Sequence, residues 1–145
     1  VNSWKCETTN DYFEFLDFHD CVVDEIKFEK DIVTISFEYI YISNEHPLNP
    51  YKVAKSTDKC RLTFNNVEIS KAIIFLDDDK EKEVGLTDLD EMEFLEVKQQ
   101  PDDEDYIYEM FGTDWKTNNF CCIKLKAKNF KLEWNEFTDD AWYVV

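Results

Sequence analysis

A chain of 145 residues, 43% apolar and 16% aromatic, can bury a substantial core, and no Pro/Gly/Ser-rich linker divides it, so residues 1–145 are expected to form a single domain. Its 33 acidic side chains against 16 basic ones leave a formal net charge of −17, which argues against direct nucleic-acid binding by counterion release and against docking on anionic lipid. With only two glycines, Gly85 and Gly112, neither a phosphate-cradling P-loop nor a dinucleotide glycine fingerprint can be built.

In chain order, the first strong signal is a hairpin. Residues 22–29 lead across a Lys30-Asp31 turn into residues 32–43, where Val33, Ile35, Phe37, Tyr39 and Tyr41 alternate with Thr34, Ser36 and Glu38. That alternation predicts one long half-buried strand. A third strand is expected over residues 60–64, turned by Asn65-Asn66 towards a short extended piece at 67–69, and the wholly apolar 72–76 reads as a central strand. Leu86, Leu89 and Met92 at three-residue steps suggest a turn or two of helix, whereas 92–97 also suits a strand. Residues 106–111 are expected to end in a turn at Gly112-Thr113-Asp114-Trp115. Beyond it, Cys121, Ile123, Leu125 and Ala127 alternate with Lys124, Lys126 and Lys128, and Phe130, Leu132 and Trp134 again step by two. The fold expected from about eight such segments is mainly β: an antiparallel β-sandwich or strongly curved sheet with at most one or two short helices. With so little glycine, Asn and Asp must make the turns.

The longest apolar runs, 72–76 and 141–145, are five residues each, too short for a membrane-spanning helix, and the first ten residues lack a signal-peptide pattern, so the chain reads as cytoplasmic. Five cysteines, an odd number without a disulfide-framework spacing, are expected to be free thiols.

Charge is concentrated. Residues 77–105 hold fourteen acids against three lysines, a net of −11. Two runs stand out, Asp77, Asp78 and Asp79 in one and Asp102, Asp103 and Asp105 in the other. They read either as a surface that steers a basic protein partner or as solvated loops, and neither has the Gly and Glu positions of a calcium-binding loop. The only acid-free basic stretch, 115–132, places Lys124, Lys126 and Lys128 on one strand face, which is expected to protect a solvent-facing sheet edge rather than to seat an acidic group, and which equally suits a place across from the acidic loops. His19, Asp20 and Cys21 bring together an imidazole, a carboxylate and a thiol. His46 is the only other histidine, so no recognisable zinc spacing exists, and backbone bonding at a strand entrance competes with any chemical role. Residues 44–56 form a long non-periodic segment in which His46, Asn49, Tyr51 and Lys52 are either partner contacts or parts of a stiff crossover. Trp134, Phe137, Trp142 and Tyr143 are expected in the core.

Two segments, Phe18-His19-Asp20-Cys21-Val22-Val23-Asp24-Glu25-Ile26 and Leu132-Glu133-Trp134-Asn135-Glu136-Phe137-Thr138-Asp139-Asp140-Ala141-Trp142-Tyr143, together resemble small acidic β-rich bacterial immunity proteins of polymorphic or contact-dependent toxin systems. The resemblance implies a non-enzymatic inhibitor, without cofactor, metal or catalytic residue, that blocks a basic toxin domain such as a nuclease. It carries no site residue across. On that expectation the six aspartates steer the encounter and exposed aromatics anchor it. The alternatives are a phage-type DNA mimic and a small β-fold ligand-binding domain or enzyme using the His19/Cys21 region.

Overall fold

The structure, a computed structural model, describes residues 3–145. Its strands are β1 (Cys6–Thr9), β2 (Leu16–Asp17), β3 (Cys21–Glu29), β4 (Ile32–Phe37), β5 (Tyr41–Ile42), β6 (Lys55–Thr57), β7 (Cys60–Asn65), β8 (Ile69–Phe75), β9 (Glu81–Val84), β10 (Met92–Asp102), β11 (Asp105–Asp114), β12 (Asn119–Ala127), β13 (Asn129–Trp134) and β14 (Phe137–Asp140). Short 3-10 segments cover Asn10–Phe15 and Leu86–Leu89.

Ten strands make one antiparallel sheet in the order β1-β13-β7-β4-β3-β10-β11-β12-β8-β9, and four make a small sheet, β14-β6-β5-β2. The large sheet bends sharply at its middle. There β3 and β10 pair only through Cys21 and Val22 with Phe94 and Glu93, and beyond that point β3 runs with β4 alone. Two leaves of five strands are thereby brought face to face. Phe64 of β7 and Phe130 of β13 pack on Tyr108 of β11, and Phe37 of β4 meets Phe94 of β10 at 5.0 Å between ring centroids. The expected sandwich and the expected curved sheet are therefore one object. Tyr108, Phe37, Phe64, Phe94 and Phe130 are fully buried between the leaves, each Phe side chain contributing roughly 1.5–3 kcal/mol by leaving water, and Trp134 is fully buried against His46 and Phe137.

Residues 32–43 do not form one strand. β4 ends at Phe37, and the chain crosses into the small sheet through Ile40, whose N–H donates to Thr57 Oγ1 and whose carbonyl accepts from Thr57 N–H. Burying Ile40, Tyr41 and Ile42 in succession breaks the alternation and leaves Tyr39 exposed. The pieces expected at 67–69 and 72–76 fuse into β8, which pairs on both sides. Around residue 90 both expectations hold in sequence: one 3-10 turn, Leu86–Leu89, then the long β10.

Gly112 is not a turn residue. β11 runs through it to Asp114, and the reason for glycine is contact: a Cβ there would lie 2.0 Å from the Glu93 carbonyl oxygen, beside the bulge that β10 makes between Phe94 and Glu96. The turns are made by acids and amides. Asp20, Asn66, Asp78, Asp79, Asp103 and Asn118 take the left-handed conformation, with Lys30, and neither glycine does.

Candidate partner-binding surface

The six aspartates singled out by sequence occupy two hairpin tips. Asp77, Asp78 and Asp79 cap β8–β9, while Asp102, Asp103 and Asp105 cap β10–β11. β12 connects the two places by register: its Cys121 pairs with Ile74 near one tip and its Ala127 with Tyr106 near the other. At about 3.4 Å per residue, roughly 20 Å of strand separates them. They are opposite ends of one leaf.

Their surroundings differ as well. Lys126 Nζ lies 3.3 Å from Asp102 and 3.7 Å from Glu68, in an open cleft of about 740 Å³ to which Lys128 also contributes. Those contacts hold the Lys126 ammonium above its usual range, first through the bond to Asp102. Among the described residues no ion pair involves Asp77, Asp78 or Asp79. β12 is not a sheet edge, as its lysines suggested; it lies between β11 and β8, because alternation reports which face a side chain takes and not what flanks the strand.

The outer face of this leaf carries an apolar stripe that the sequence reading missed. One cross-strand row runs Glu96, Phe111, Cys122, Ile73, Glu83. In the next row Glu93 faces Thr113, Thr113 faces Phe120, and Phe75 faces Glu81. Phe111 stacks on Phe120 at 5.5 Å and contacts Phe75 at 6.4 Å. Phe120 is 55% exposed, and Trp115, in the β11–β12 turn at the same end of the leaf, is 53% exposed. The stripe thus has glutamates at both ends of its rows, a third row of Lys98, Glu109, Lys124 and Lys71 along one side, and the 77–79 tip at the other. The signal was present in β12, where the outward positions are apolar at Phe120 and Cys122 and switch to lysine only from Lys124.

His19 and Cys21 do not combine. The His19 ring is half exposed and its Nδ1 lies 2.9 Å from the carbonyl of Leu95, the bulge residue of β10, which raises its pKa as a charged donor. Asp20 N–H donates to the Phe94 carbonyl at 2.8 Å, so this segment holds β3 against β10. The Cys21 thiol is fully buried, and desolvation pushes its pKa far above the usual range; Cys60 and Cys121 are pushed up to about 12 by the same cause. All five cysteines are free.

In the 44–56 segment, His46 and Asn49 are buried. His46 Nδ1 accepts from Leu48 N–H and Nε2 bonds Thr8 Oγ1 at 2.8 Å, while Asn49 Nδ2 donates to the carbonyls of Ile42, Ser43 and Val53. These two side chains hold the crossover together, and Tyr51 and Lys52 remain at the surface. At the C-terminus Trp134 is core and Phe137 half-buried, but Trp142 and Tyr143 are exposed: past β14 Ala141 is buried, its N–H donating to the Ala54 carbonyl, and Val144 packs against the core.

Compared with known proteins, the chain matches no family model, no curated protein and no solved structure. Among the described residues no helix is long and apolar enough to cross a membrane, and no three His, Cys, Asp or Glu side chains converge as a metal site would require. The geometry defines an acidic all-β chain whose most distinctive outward feature is an apolar sheet stripe rimmed by carboxylates.

Proposed function

We propose that this chain is a non-enzymatic binding protein of the immunity type, which captures a basic toxin domain such as a nuclease and covers its working face. The observation that carries this reading is the aromatic stripe of Phe75, Phe111 and Phe120 lying between glutamates and beside the unpaired 77–79 tip. An apolar centre with a charged rim is how protein interfaces divide labour: buried aromatic anchors supply affinity, while rim charges set the encounter rate and reject partners of the wrong sign. A net charge of −17 selects a basic partner.

The test is capture of binding proteins on the immobilised chain at about 0.1 M and about 0.5 M salt, the range over which screening of exposed charges becomes strong. The expected result is a basic protein held at one-to-one stoichiometry, faster at low salt, whose toxic or nucleolytic activity the chain suppresses. Absence of any stoichiometric basic protein at both salt concentrations overturns the reading.

A further inference from the structure

Within the stripe, Phe75, Phe111 and Cys122 form the floor of a slot of about 380 Å³, with Glu96, Lys98 and Glu109 at its rim. We propose that this slot receives an arginine side chain of the basic partner; the inference rests on the inhibitor reading above and specifies its central contact. A slot with an apolar floor and an anionic rim suits a side chain that is apolar along its stem and cationic at its tip. Arginine has both parts, and its planar guanidinium also stacks on aromatic faces, which Phe75 and Phe111 supply.

The rim is not uniformly negative. Lys98 Nζ lies 3.8 Å from Glu96, a loose pair in which both side chains are more than 60% exposed, so Glu96 is available to exchange partners. Glu109 is exposed and has no ion pair among the described residues, although Lys124 faces it across the β11–β12 register. The bound guanidinium therefore sits between two carboxylates, with Lys98 opposing it. A lysine ammonium would meet the same carboxylates but would be more strongly hydrated and could not stack. An acidic side chain would meet the carboxylates at like charge.

The experiment is an amide NMR titration of the full chain with N-acetyl-arginine amide, and in parallel with N-acetyl-norleucine amide, which has a similar stem and no charge. Shifts induced by the arginine probe are expected to concentrate on Phe75, Glu96, Glu109, Phe111 and Cys122. The norleucine probe should produce much weaker ones. Glu109→Gln is expected to weaken the arginine probe about threefold and Lys98→Gln to strengthen it about threefold, the size of one exposed charge contact in each case. Equal response to both probes with no effect of Glu109→Gln makes the slot merely apolar and overturns the proposal, as does an arginine titration that leaves the slot unshifted. If the arginine probe fails while a basic toxin is still captured and inhibited, the slot assignment falls and the inhibitor reading stands. If the probe binds as expected and no basic protein is captured, the reverse holds.

Discussion

The two acidic hairpin tips look alike in sequence and differ in place. The β10–β11 tip is partly neutralised: Lys126 reaches Asp102 from the neighbouring strand, and Lys128 lines the same cleft. At the β8–β9 tip Lys80 follows the three aspartates, yet among the described residues none of the three is in an ion pair, and the tip stands next to the aromatic stripe. An acidic run becomes a steering element when its charge is unmatched locally and when apolar surface lies beside it to hold what the charge attracts. By that measure the 77–79 tip belongs to the proposed interface and the 102–105 tip does not.

The largest expected effect breaks the leaf that carries both tips. Gly112→Ala drives a methyl group into the Glu93 carbonyl at the β10 bulge and is expected to cost about 3 kcal/mol or more, read as a fall in the urea midpoint. Next comes Phe120→Asp, which places a charge in the middle of the stripe at an exposed position. It should weaken partner binding about thirtyfold or more, the scale of an interface hot spot, with the thermal midpoint nearly unchanged. A smaller, kinetic effect separates the tips directly. Converting Asp77, Asp78 and Asp79 to Asn preserves the left-handed backbone at Asp78 and Asp79 and should slow association about tenfold at low salt while flattening its salt dependence. The same change at Asp102, Asp103 and Asp105 should alter the on-rate by less than about twofold, as expected where a cation already screens the tip. Equal slowing by both sets would erase the distinction between the tips.

The smallest effect concerns the two histidines, which respond to pH in opposite senses. Burial lowers the pKa of His46, and both its ring nitrogens are already bonded, with Nδ1 accepting from Leu48 N–H. The unfolded chain therefore takes up that proton first, so the stability contributed by neutral His46 is present above about pH 6.5 and is lost as pH falls below it. The bond to the Leu95 carbonyl raises the pKa of His19, so its contribution is present below about pH 6.5 and is lost as pH rises through the folded value. Imidazole carbon shifts followed by NMR should show His19 titrating above about pH 6.5 and His46 below it.

Alternation along the chain was enough to place Val33, Ile35 and Phe37, then Cys121, Ile123, Leu125 and Ala127, and then Phe130, Leu132 and Trp134 on buried faces, because a strand's period of two is a local property of its backbone. Composition determined the strength and sign of the charge, and scarcity of glycine determined that Asp and Asn would carry the left-handed turn positions. The neighbours of each strand are a different kind of fact. Period-two patterning cannot say that β12 lies between β11 and β8, that the chain changes sheets at Ile40, or that Gly112 is required by a carbonyl from β10. Nor could it assemble a surface from Phe75, Phe111 and Phe120, which come from three different strands. Only pairing in register brought those rings into contact and carried the two acidic runs to opposite ends of one leaf, since register depends on long-range contacts that no local stretch contains.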